Sequence, residues 1–77
     1  MHKLNLIHLP VNKKAKIKEI LGGITLHSRL MGMGIYKGRE LTKLSHIGLA
    51  GPVVIKVGRS IIALGHGMAK KILVENI

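Results

Sequence analysis

The chain has 77 residues, no cysteine, and 13 basic against 3 acidic residues, for a formal charge of +10. This excludes disulfide staples, cysteine-based zinc sites and cysteine nucleophiles, and leaves room for one small domain, 1–77, close to the lower limit of what a single core stabilises. The composition is 47% hydrophobic with Tyr36 as the sole aromatic residue, so the core must be aliphatic, and no apolar run approaches the ~18 residues of a membrane span.

Residues 4–9, LNLIHL, form a short apolar opening segment closed by Pro10. It is too brief for a signal-peptide core, and the chain is expected to be cytoplasmic. Asn12 is placed in a turn, in the left-handed conformation it tolerates. Residues 14–20, KAKIKEI, alternate as a strand with Ala15 and Ile17 inward, but Ile20 breaks the parity, which predicts a bulge near Lys18-Glu19. Gly22-Gly23 ends that strand. The period then changes: Leu26, Leu30 and Met33 recur as one helical face, predicting a helix over 25–33 with Thr25 as its N-cap and Gly32 or Gly34 as its terminator. Ile35–Gly38 reads as a turn, 39–46 as a strand whose Leu41 and Leu44 fall out of step, and 47–51 as a glycine-bounded loop.

The stretch GPVVIKVGRSIIAL, 51–64, reads as a hairpin. Its β-branched runs suit strands, and Gly58 supplies the positive φ that the first position of a two-residue type II′ loop requires. That loop pairs Val57 with Ser60, Ile55 with Ile62 and Val53 with Leu64. Val53, Ile55, Val57, Ile62 and Leu64 then share the core face. The opposite face, Val54, Lys56, Ile61 and Ala63, is too apolar for a fully solvated surface. It is expected to lie under the N-terminal segment or the helix, or to form a contact with a partner. Gly65-His66-Gly67 breaks the strand, Met68–Lys70 fit one helical turn, and a last strand covers 72–74. About five short strands with one inserted helix predict a mainly β fold, a small closed barrel without free edges.

Catalytic chemistry is hard to find. Glu19, Glu40 and Glu75 fall on separate elements, and Ser45-His46 are strand neighbours that point to opposite faces, so neither general acid–base pairs nor a Ser–His nucleophile is expected. Of five histidines (2, 8, 27, 46 and 66), none stand four apart on a helix. His46 and His66, near strand ends, are the best metal candidates, and no cofactor is expected. Gly32-Met33-Gly34 with Gly38 is one residue too long for a dinucleotide fingerprint, and Gly65-His66-Gly67 lacks phosphate-loop spacing. The charge suits a polyanion, yet single-strand binding relies on stacking aromatics that this chain lacks.

Five motifs stand in order: IKEILGG (17–23), SRLMGMGIYKG (28–38), GPV (51–53), IAL (62–64) and the run A-x-x-I-x-V (69–74). They carry Gly22 and Gly23; Arg29, Leu30, Gly34, Ile35 and Gly38; Gly51 and Pro52; Leu64; and Ala69. Together they resemble the ferrous iron transport protein A (FeoA) family. Two departures occur: Tyr36-Lys37 stand where members often have proline, and Asn12 replaces a usual glycine. The resemblance implies an SH3-like barrel, a non-catalytic cytosolic accessory role in bacterial Fe(II) uptake, and the FeoB permease, through its GTP-binding part, as partner. It assigns no catalytic residue. The motif residues read as structural, with Arg29 pairing a carboxylate or carbonyl. Arg29 and the outer hairpin face (Val54, Lys56, Ile61, Ala63) are the expected contact or self-association surface. The alternative is a basic nucleic-acid-binding barrel, or a regulatory module like the C-terminal domain of iron-dependent repressors.

Overall fold

The structure, a computed structural model, describes residues 4–48 and 50–77; His2 and residue 49 of the 47–51 loop lie outside the described residues. The elements run β1 (Leu4–Asn5), β2 (Lys14–Ile20), α1 (Ile24–Gly32), β3 (Glu40–His46), β4 (Val53–Val57), β5 (Ser60–Leu64), α2 (His66–Ala69) and β6 (Ile72–Asn76). Among the described residues the strands form one antiparallel sheet in the order β1-β6-β2-β3-β4-β5.

The mainly β, SH3-like architecture is as expected, with six strands instead of five, and the sheet is not closed. β1 and β5 are its two ends. Among the described residues β1 spans two residues and pairs with β6, and it offers no ladder to β5.

The hairpin has the expected register, from Val57↔Ser60 to Val53↔Leu64. Gly58 has φ +60, and Arg59 is not among the residues with positive φ, which is the type II′ pattern. Val53, Ile55, Val57 and Leu64 are buried, while Ile62 is only half-buried. In β2 the register shifts between Ile17 and Glu19, so one extra residue returns Ile20 to the core. β3 shifts between Lys43 and Ser45, which explains why Leu41 and Leu44 fall out of step. Asn12 adopts φ 69.

Helix α1 corrects one expectation. Its N-cap is Gly23, with no side-chain cap, and Thr25 lies inside the first turn. Its C-terminus is a Schellman ending: Ile35 N donates to Leu30 O and Gly34 N to Met31 O, both at 2.9 Å, with Gly34 at φ +85. That closure sets buried Ile35 beside buried Leu30, so the ending of the helix also builds core. Leu26 and Met33 pack at the core's margin. A short isolated helix is marginal in water, and packing of this stripe holds it.

Candidate functional site

The most unusual feature inside the sheet is a lysine, a residue type that is ordinarily exposed. Lys43, on β3, is 2% exposed and sits among Leu6, Leu9 and the other core residues. Strand alternation after Leu41 points its side chain inward. Its backbone is pinned by the Asn12 turn: Asn12 N donates to Lys43 O at 2.6 Å and Lys43 N to Lys13 O at 3.0 Å. Lys43 Nζ donates to Leu6 O at 2.8 Å and Ile7 O at 3.0 Å, with His46 Nδ1 at 3.4 Å. An ammonium has three protons and no acceptor capacity, so these three contacts satisfy it. Burial still pushes the Lys43 ammonium below its ordinary value.

The bulge after Lys43 and the start of α2 bring His46 and His66 together, with ring centres 6.4 Å apart. The two candidate metal ligands are thus neighbours despite their separation in sequence. Beside the Lys43 ammonium, His46 Nδ1 must accept, which leaves its proton on Nε2. His46 Nε2 and His66 Nδ1 are both buried without a hydrogen-bond partner. A protonated Nε2 is a donor, and two imidazoles beside an ammonium fall short of the three or four ligands of a metal centre. Among the described residues no group of three or more His, Asp or Glu converges on one point.

Desolvation first, then Lys43 and His66, hold the His46 imidazole below its ordinary value. A histidine that resists protonation in the fold contributes stability above its unfolded value, and loses that contribution as pH falls through the folded one. Stability is therefore expected to fall between pH 7 and 5. In urea titrations, His46→Gln should show a shallower fall over that interval than the parent. An equally steep fall would remove His46 as its source.

The outer hairpin face is not covered. Val54 and Ala63 pair across the hairpin, as do Lys56 and Ile61. Val54 is half-buried, Lys56 and Ala63 are exposed, and Ile61 is 68% exposed. The expectation that the N-terminal segment or the helix lies over this face is overturned. The segment turns instead toward β3, where Lys43 holds its carbonyls. The row continues along the sheet as Ile61, Lys56, Thr42 and Lys14, giving an apolar edge beside a basic field.

Arg29 does not join this face. It lies exposed in the last turn of α1, and among the described residues it has neither the carboxylate nor the carbonyl partner expected. A second open surface follows the other flank of α1. A cleft of about 320 Å³ is lined by residues including Ile20, His27, Met31, Ile35 and Tyr36, and Ile24 and Met31 beside it are 83% and 62% exposed. Their spacing of seven was the available signal in the sequence. His27 Nε2 is 2.7 Å from Ile20 O, and the Arg39 guanidinium lies over the Tyr36 ring at 5.4 Å. The remaining motif residues are structural in placement: Leu30, Ile35, Leu64 and Ala69 are buried, and Gly22 and Gly38 lie at positive φ.

No catalytic arrangement emerges among the described residues. Glu40 and Glu75 flank Lys16 from β3 and β6, Glu75 also lies 3.8 Å from Lys18, and no hydroxyl is hydrogen-bonded to a histidine. Among the described residues no helix is long and apolar enough to cross a membrane.

Comparison with known proteins gives a consistent picture. The FeoA domain family matches residues 4–76. A Methanocaldococcus jannaschii protein named as an Fe(2+) transport protein A is 40% identical over 60 residues, covering 78% of this chain and 71% of its own. Crystals of an iron uptake regulatory protein, FeoA, show the same fold at a TM-score of 0.87 with 27% identity and full coverage of both chains. Iron(II) transport protein A from Clostridium thermocellum is 32% identical at a TM-score of 0.87, covering 96% of this chain and 46% of that one. A manganese-dependent transcriptional repressor contains the fold as well, at a TM-score of 0.88, over 42% of its length and with 17% identity, a likeness of fold alone. By the extent of the family match, residues 4–76, and by the 40% identity to the Methanocaldococcus jannaschii protein, the chain belongs to the FeoA family.

Proposed function

We propose that this protein is a non-catalytic, cytosolic accessory of ferrous iron uptake, a single module over 1–77 that acts by binding the FeoB permease through its GTP-binding part. The observation that carries the reading is the open hairpin face, with Ile61 68% exposed beside Lys56. Exposed apolar side chains rimmed by charge are the surface of an interaction module, and a charge of +10 favours an acidic partner face. Arg29 is a separate, exposed contact point in this reading. Direct binding of Fe(II) is not needed for such a role.

Titrating the ¹⁵N-labelled protein with the GTP-binding domain of its cognate permease tests this. Saturable amide shifts confined to the β4–β5 hairpin are expected, and Ile61→Lys should weaken binding about tenfold or more, about 1.4 kcal/mol, with the fold intact. Absence of shifts at several hundred micromolar, or shifts confined to the α1 cleft, would overturn the assignment of this face.

A further inference from the structure

The open end of the sheet carries more information than its side chains alone. In a hairpin with a two-residue loop, the residues flanking the loop exchange both ladder bonds, and hydrogen-bonded and non-hydrogen-bonded pairs alternate from there. Val57↔Ser60, Ile55↔Ile62 and Val53↔Leu64 are therefore the bonded pairs, and Lys56↔Ile61 and Val54↔Ala63 the non-bonded ones. It follows that the N–H and C=O groups of Ile61 and Ala63 point away from β4. β5 has no neighbour on that side, and neither residue has any other backbone or side-chain hydrogen bond among the described residues. The same two residues are exposed. Natural edges are usually blunted by charge, proline or a bulge. β5, SIIAL, has none of these.

We infer that β5 is a homodimerisation edge, pairing antiparallel with β5 of a second copy to extend the sheet across a two-fold axis at Ile62. In that register Ile61 of each copy faces Ala63 of the other, so both pairs are bonded pairs and all four outward N–H groups find carbonyls. A large side chain then lies against a small one on the outer face. The contact is isologous, the same strip on both copies, and it closes at two.

Charge permits a second copy at this strip, and the self-complementary register of Ile61 with Ala63 favours one. Two chains of +10 repel, and they can approach only where a surface is uncharged. β5 is such a strip, since all five of its residues are uncharged. Lys56 on the two β4 strands, the charged residue of the hairpin's strands, is held three strand spacings apart. At about 4.8 Å each this is roughly 14 Å, beyond the ~8 Å Debye length at physiological salt. One strand per copy buries less than the ~1,200 Å² of a standard interface, so the dimer is weak and concentration-dependent. Screening the repulsion strengthens it, whereas binding of an acidic partner weakens with salt. The inference does not depend on the permease reading, and its test contains this protein alone.

Sedimentation equilibrium of the purified chain up to about 1 mM, at about 0.05 M and about 0.5 M NaCl, is the experiment, with hydrogen exchange of the Ile61 and Ala63 amides as a local readout. Dimerisation that strengthens with salt is expected, together with slowed exchange at those two amides. Ala63→Pro removes an outward N–H and leaves the β4 ladder whole. It and Ile61→Lys should each weaken the dimer tenfold or more, and Ile24→Lys on α1 should not. A monomer at every concentration and both salts would overturn the inference. So would a dimer that Ile24→Lys disrupts and Ile61→Lys does not. If Ala63→Pro proves unfolded by circular dichroism, Ile61→Lys and the exchange data decide alone.

Discussion

Lys43→Ala is expected to destabilise the protein by about 3 kcal/mol or more, with the N-terminal segment released first. Truncation removes a long buried stem, whose cavity term alone is of the order seen for large aliphatic truncations. It also leaves the carbonyls of Leu6 and Ile7 and the Nδ1 of His46 without the donor they share, and each orphaned buried acceptor costs roughly 1–3 kcal/mol. The segment's other ties are a two-residue strand, the bond from Leu6 N to Ile72 O, and the buried side chains of Leu6 and Leu9. Since small domains hold about 5–15 kcal/mol in total, the loss should be plain in a urea titration, and amide exchange over residues 6–9 should accelerate before the rest. Lys43→Met separates the contributions. It keeps the stem's volume and removes a charge that burial away from water disfavours, so the loss should be smaller than for alanine. An alanine variant with an unchanged urea midpoint would show that Lys43 does not tie this segment down.

Gly51→Ala should be the second severe change, lowering stability by about 2 kcal/mol or more and the melting temperature by roughly 10 °C or more, given about 4–8 °C per kcal/mol for a domain of this size. A methyl group at this position would drive into the carbonyl oxygen of Ile47 and lie 2.9 Å from its carbon. Both are backbone atoms, which cannot swing aside. The loop they belong to is closed by Ile47 N donating to Pro52 O at 3.1 Å, and it delivers Val53 to its pairing with His46 in the core. Relief of the clash therefore has to move either the loop or the start of β4. Gly67→Ala is the control. Nothing lies within 4 Å of its added carbon, and a helical glycine replaced by alanine is neutral or stabilising. Equal melting temperatures for the parent and Gly51→Ala would show that the loop yields.

These two expectations arise from different sources. Gly51 belongs to a motif visible in the chain, and its physical reason, close approach of two backbone segments, appeared only with the fold. Lys43 was not visible at all, because a lysine in an alternating strand reads as an outward one. Its burial depends on a carbonyl pair more than thirty residues away and on a bulge after it.

What the sequence by itself determined is what local chemistry fixes. Gly58 allows one kind of tight loop, so the hairpin register followed. The parity break at Ile20 required an extra residue, so the bulge followed. Leu26, Leu30 and Met33 required a helix, although its cap fell on Gly23 and not on Thr25 because backbone geometry, not a side-chain bond, starts it. The order of glycine and aliphatic motifs carried the family. Only the tertiary structure decided matters that depend on distant segments: that the sheet of the described residues stays open, with β1 on β6; that His46 and His66 meet beside a buried ammonium; and that the N-terminal segment is held by Lys43 and leaves Ile61 in solvent. Periodicity specifies which face of a strand is apolar. Which apolar face is then covered depends on where the rest of the chain has room to go.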